Sequence, residues 1–122
     1  PQVIHPSAIV SSNAKIGKGV VIYPNVVIGA GSEIDDFVQI LPNTVISHHA
    51  KIGKYSIVNA GCIITGWVHI KENCYIGSST KIRQRVIIGS KSLIGMGSLV
   101  LEDIPNDSTA FGHPAKIKNL KK

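Results

Sequence analysis

The chain has 122 residues, 43% apolar and 5% aromatic, with a formal net charge of +6. That length suits one domain, and with no opening signal peptide and no apolar run of membrane-spanning length a cytoplasmic protein without a membrane partner is expected. Residues 1–80 carry five Lys and four acids, whereas residues 81–122 carry eight Lys or Arg and three acids, and without aromatic–basic interleaving this basic end suits a small anion rather than nucleic acid.

The chain opens directly on a repeat. From Ile4 through Val10, Ile16 and Ile22 to Val100, every sixth residue is Ile or Val, with no insertion. Four residues after each lies a second series, mostly small or β-branched: Ala8, Val20, Ser32, Thr44, Ser56, Cys62, Cys74 and onward to Ile104. A fixed short repeat of this kind predicts a β-solenoid. In Val26–Gly31, Val26 and Ile28 share one side of a short strand and Val27 takes the other. Gly29-Ala30-Gly31 then turns the chain, because Gly tolerates the positive φ that a tight corner demands. A helix is excluded, since its apolar positions would recur every 3.6 residues.

A longer period appears independently. Pro6, Pro24 and Pro42 are spaced by 18, and Gly17, Gly53 and Gly89 by twice that. Three strand-and-corner units per coil make a triangular prism. At the usual strand spacing of about 4.8 Å, five to six coils make a rod of roughly 25 Å.

Pro1 and Pro6 lie at the first end, where Pro blunts an exposed edge. The Gly-x-Gly triplets at residues 17–19, 29–31 and 95–97 open no helix, so corners explain them and a dinucleotide loop does not. Cys62 and Cys74 fall in the small inward series and are read as reduced core residues. The hexad rule stops after Ile104, because the next aliphatic slot holds Asn106 within the breaker cluster Asp103–Asp107. Residues 1–104 are therefore assigned to the β-helix and residues 105–122 to a C-terminal loop and capping tail. Phe111, Pro114, Ala115 and Ile117 are expected to cap the prism, with Ile117 turned to the rod and Lys116 and Lys118 outward.

With the hexads and this tail in view, the chain resembles the left-handed β-helix hexapeptide-repeat acyltransferases over essentially its whole length. The segment Gly112-His113-Pro114-Ala115-Lys116-Ile117 matches the Gly-x-Pro-Ala-Lys ending of acetyltransferases in that superfamily. Ile46-Ser47-His48-His49-Ala50-Lys51-Ile52-Gly53 is similar, more narrowly, to the sialic-acid O-acetyltransferase and nucleotide-amino-sugar N-acetyltransferase branch. The resemblance implies a left-handed, all-β coil that moves an acetyl group from acetyl-CoA to an amino or hydroxyl group of a sugar or nucleotide sugar. It implies no metal, and a homotrimer with CoA lying between adjacent prisms. That branch commonly carries a nucleotide-sugar-binding α/β domain ahead of the prism, whereas this sequence begins inside the prism, as a stand-alone form or a truncated one.

The resemblance also assigns a site. His48, outward on a corner, aligns with the family's catalytic base, and Gly66, 18 residues on, with the glycine whose N–H faces the acetyl carbonyl. Their spacing puts them one rung apart, about 5 Å. An imidazole titrating near neutrality suits proton removal from an attacking amine or hydroxyl, and a backbone N–H suits the oxyanion. Gly66, Lys81, Arg83 and Lys116 are assigned to CoA. His49, Trp67 and Arg85, also spaced by 18, should stack on one corner as a shelf for sugar or pantetheine, or as a subunit contact. Three positions depart from the branch: Ser47 stands where Glu is frequent, Ile57 where a second His is common, and Trp67 where a small residue is usual. Ser47 leaves the group that orients His48 unidentified. His5 and His69 are read as structural or solvent-facing, and His113 fills the variable slot of the tail motif.

Two other readings share the prism. A γ-carbonic-anhydrase-like zinc enzyme needs three converging His, whereas adjacent His48 and His49 should point apart unless the corner is distorted, and His69 lies on a different edge. A non-catalytic trimeric scaffold needs no site at all.

Overall fold

A computed structural model describes residues 1–120. Lys121 and Lys122, counted above in the basic end, lie outside the described residues. The hexads become seventeen two-residue strands, β1 (Val3–Ile4) to β17 (Leu99–Val100), each separated from the next by a corner. There is no helix among the described residues. Each strand pairs in parallel with the strand 18 residues away, as Val3 does with Val21, Ile63 with Lys81 and His69 with Ile87. Three flat faces result, here called A, B and C, starting respectively at Val3–Ile4, Ile9–Val10 and Lys15–Ile16. This is the triangular prism that the 18-residue period predicts, of about 6 turns.

Two-residue strands suffice because pairing repeats on every rung. The second residue of each strand points inward, and Ile22, Ile40, Ile64, Ile76 and Ile94 are all 0–1% exposed. Ile4, in the first coil, is 38% exposed.

The small inward series bonds between coils. Ser32 Oγ donates to the Ser47 carbonyl at 2.6 Å, Thr44 Oγ1 to Asn59 at 2.8 Å and Ser56 Oγ to Lys71 at 2.9 Å. Cys62 and Cys74 donate their thiols to the Gly77 and Gly89 carbonyls, each at 3.1 Å. Burial raises both thiols above their ordinary pKa, so they stay protonated. Among the described residues no buried side-chain polar atom lacks a partner.

The corners stack in register. The second corner residue takes positive φ, as at Asn43 (64°), His49 (55°), Trp67 (63°) and Arg85 (68°). Its N–H donates one coil back: Trp67 to the His48 carbonyl at 3.1 Å and Arg85 to Gly66 at 3.0 Å.

The end of the coil differs from the hexad reading. Ile104 pairs with Ile88, and Ala110 with Ile94, each 16 residues apart. Ile104 therefore fills the aliphatic column and not the small series. The last coil is two residues shorter, and the next strand, β18 (Ser108–Gly112), still joins face A in parallel. The coil thus runs past residue 104. Asn106 holds its corner, its side-chain Oδ1 accepting from the Ser90 N–H at 2.8 Å.

Strand β19 (Ala115–Leu120) then turns back antiparallel on β18. Capping is done by this backbone pairing, which closes the edge of face A. Ile117 does not face the rod: it is 45% exposed, and Phe111 is 46% exposed.

Outward side chains distinguish the faces. Face A presents Val21, Gln39, Ile57, Tyr75 and Leu93; face B presents Val27, Val45, Ile63, Lys81 and Leu99. Face C presents Lys15, Glu33, Lys51, His69 and Ile87.

Candidate active site

His48 and His49 form the corner between faces B and C, and Gly66 and Trp67 form the same corner one coil on. The backbone ladder fixes this overlap, because the Trp67 N–H bonds to the His48 carbonyl. His48 is exposed, whereas Gly66 is buried. The His48 ring lies across Gly66. A Cβ built on Gly66 would sit 2.6 Å from His48 Nε2 and 2.8 Å from Cε1. Gly66 does not have the positive φ that favours glycine, so the position needs Gly for room and not for backbone freedom. Its N–H has no hydrogen-bond partner among the described residues and so remains free for a ligand oxygen.

The two nitrogens of His48 differ. Nδ1 lies 3.1 Å from Nδ1 of His49, with the rings at 82°. Nε2, over Gly66, has no hydrogen-bond partner among the described residues. The expectation that these side chains point apart is therefore corrected. Adjacent side chains alternate only in extended chain, and His49 is in the left-handed region. No third His, Cys, Asp or Glu joins the pair among the described residues.

The predicted ladder forms. His49 stacks on Trp67 with ring centroids 4.3 Å apart and planes at 6°. The Arg85 guanidinium lies 5.5 Å from the indole centroid. Below, His49 rests on Gly31, where a Cβ would stand 2.6 Å from Cδ2. The rings of the ladder cover one another's faces, so it presents ring edges outward.

The basic residues lie on face B and farther along the same corner. Lys81 is exposed on face B, opposite Ile63. Arg83 and Arg85 line a groove of about 300 Å³ with Leu101, Glu102 and Asp103. Lys116 lines an adjoining groove of about 270 Å³ that shares those three residues. The hairpin thus brings Lys116 to the same end as Arg83 and Arg85. Glu102 and Asp103 also lie there, and Asp103 Oδ1 is engaged by the Ile87 N–H at 2.8 Å. Neither groove includes His48.

The remaining histidines stand apart. His5 Nδ1 is 2.9 Å from Ser7 Oγ at the first coil. His69 is half-buried on face C, where burial, then Lys51 and Lys71, push its pKa down against a smaller opposing effect of Glu33. A second aromatic ladder, which the sequence reading did not pick out, joins Phe37 and Tyr55 on the corner between faces C and A, with centroids 5.5 Å apart and planes at 6°. Its signal was available in the same 18-residue spacing that marked Trp67.

The chain is similar to known proteins along its length. The profile of the family described as the GMPPB C-terminal domain matches residues 1–109. The GDP-perosamine N-acetyltransferase of Escherichia coli O157:H7 is 35% identical over 117 residues, covering 92% of this chain and 53% of that protein. The acetyltransferase domain of PglB from Neisseria gonorrhoeae, solved with acetyl coenzyme A, matches with a TM-score of 0.95 and 33% identity, over 97% of this chain and 58% of that one. PerB from Caulobacter crescentus, solved with CoA and GDP-perosamine, matches with a TM-score of 0.95 and 32% identity, over 97% and 57%. The chain spans about half the length of the relatives it matches. With residues 1–109 inside that profile and the coil superposing on these prisms, the chain belongs to the GMPPB C-terminal domain family and is a left-handed β-helix of hexapeptide repeats.

Proposed function

We propose that this prism transfers an acetyl group from acetyl-CoA to an amino group of a nucleotide-activated sugar. The observation that carries the reading is the pairing of a free imidazole nitrogen with a free backbone N–H: His48 Nε2 lies against Gly66, whose N–H is outside the coil's ladder. His48 Nε2 takes the proton from the attacking nitrogen as that nitrogen adds to the thioester carbonyl carbon. The Gly66 N–H faces the oxygen where negative charge develops. The new C–N bond forms, the C–S bond breaks, and the proton held on His48 passes to the departing CoA sulfur. Lys81, Arg83 and Lys116 are assigned to the CoA phosphates by charge. Trp67 and Arg85, with the edge of His49, border the acceptor. The similar prisms solved with acetyl coenzyme A, and with CoA and GDP-perosamine, support the choice of donor and of acceptor class. A cytoplasmic location accords with acetyl-CoA as the donor.

The working unit in this reading is a homotrimer. His48 stands on a convex corner, and ligand sites are concave. Two faces carry mostly apolar outward ranks and the third a mostly charged one, which suits packing of face A of one copy against face B of the next. Such a head-to-tail contact is heterologous and closes as a ring. It would bring Phe37 and Tyr55 of the partner subunit, at the outer edge of face A, to the wall opposite His48. It would also turn Ile57, a departure from the branch on face A, toward the cleft.

The test is substitution of His48 with turnover measured as CoA thiol release across a panel of nucleotide-activated amino sugars and sialic acids. His48→Ala or His48→Asn should fold normally, because the inward Ile46 and Ala50 are untouched, and should lower kcat by roughly 10²–10⁴. A variant with wild-type turnover on its best acceptor would show that another group is the base.

A further inference from the structure

The resembled branch leaves open what orients His48, because Ser47 supplies no carboxylate. Ser47 is instead tied by its backbone: its carbonyl accepts from Ser32 Oγ at 2.6 Å and its N–H donates to Ile64 at 2.8 Å. Among the described residues, the side-chain hydrogen bond that either ring makes is the one to the other, Nδ1 to Nδ1 at 3.1 Å. Only one proton can occupy that bond, so one ring donates and the other accepts.

We propose that His49 is the positioning residue for the base: its Nδ1 accepts the Nδ1–H of His48, holding that ring with Nε2 unprotonated and turned to Gly66. This rests on the reading of His48 as the general base. With the opposite proton placement, Nε2 of neutral His48 would carry hydrogen and could not accept one. The hydrogen bond at one imidazole nitrogen sets the state of the other.

His49 is built to hold still. One face rests on Gly31, where a Cβ would be 2.6 Å from Cδ2, and the other is stacked on Trp67 at 4.3 Å. Arg85 covers the far side of the indole. The His49 N–H is bonded to the Ala30 carbonyl at 2.9 Å. The ring therefore has both faces covered and its backbone fixed. Trp67, the residue larger than the branch pattern, supplies the clamp, and Gly31 supplies the floor. On this account the corner ladder orients the catalytic ring from one coil away and is more than a substrate shelf.

A neutral imidazole partner has a consequence that a carboxylate would not. A carboxylate favours the imidazolium form of its neighbour, whereas a neutral acceptor favours it less. The titratable groups on the flanking elements are mostly cationic: Arg85 in the ladder, Lys81 and Arg83 before the corner, and Lys15, Glu33, Lys51 and His69 on face C. Replacing His49 by Asp should therefore move the acid limb of the kcat/KM profile to higher pH. Asp is tolerated at the 55° φ of this position.

The experiment uses the whole chain with its best acceptor and compares His49→Phe, His49→Asp and His48→Ala. His49→Phe keeps an aromatic ring for Trp67 but offers no acceptor. It should lower kcat by roughly 10–100-fold, the usual effect of losing an orienting partner, and leave the KM for acetyl-CoA unchanged. His49→Asp should restore most of that turnover with the acid limb displaced upward. Nitrogen-15 NMR of the imidazoles should show Nε2 of His48 unprotonated in the wild type and mixed tautomers in His49→Phe. Wild-type kcat and an unchanged His48 tautomer in His49→Phe, with His48→Ala inactive, would overturn this proposal alone. Full turnover in His48→Ala would overturn the base reading and this proposal together.

Discussion

Gly66→Ala separates the site from the scaffold. The added Cβ would lie 2.6 Å from His48 Nε2 and 2.8 Å from Cε1. Ordinary contact between such atoms needs roughly 3.5–4.0 Å, so the ring must retreat by about 1 Å. His48 is exposed and free to swing away, and the backbone at Gly66 accepts Ala without positive-φ strain. Stability should therefore change by less than about 1 kcal/mol. Turnover should fall further, since a misplacement of about 1 Å costs on the order of 10²-fold. Gly61→Ala is the opposing control. Its φ is 70° and the nearest neighbour of an added Cβ is Ser79 Oγ at 3.5 Å, far from the chemistry. It should cost about 1–2 kcal/mol through backbone strain and leave kcat intact. The assay is initial-rate CoA release at saturating donor and acceptor, run beside thermal unfolding of both variants. Gly66→Ala with wild-type kcat, or a kcat loss matched by Gly61→Ala, would refute the placement of His48 over Gly66.

Three further outcomes are expected. Lys116→Glu should raise the KM for acetyl-CoA more than that for the acceptor, with kcat little changed, and the effect should shrink as salt rises; an unchanged KM at low ionic strength would leave the hairpin a structural cap. Deleting residues 113–122 removes the pairing that closes the face A edge and should lower Tm as well as donor affinity, which thermal unfolding will check. At His69, burial and then Lys51 and Lys71 disfavour the proton in the folded chain, so the unfolded chain binds it more readily and stability falls as pH drops below the ordinary value of 6.5; His69→Gln should flatten that acid-side slope in denaturant titrations.

The hexad pattern made the prism legible because the inward slot recurs with strand geometry on every rung, from Ile22 to Ile94. Stacking of His49, Trp67 and Arg85 was legible for the same reason, since an 18-residue period translates directly into vertical neighbours. The tail was not. Nothing in the local pattern of residues 101–107 announces a coil two residues short, and Ile104 fits the small series by count but the aliphatic column by pairing. Ile117 was misplaced because strand alternation names two sides without saying which one is covered.

Sequence alone determined the repeat, the three faces, the buried Ile columns and the resemblance that singled out His48 and Gly66, all of which depend on spacing along the chain. Tertiary structure decided the contact between His48 and His49, the room at Gly66 and the exposure of Ile117. Those depend on where side chains point at corners and edges, where the period-two rule of extended strands no longer holds and the positive φ of His49 turns its ring toward its neighbour.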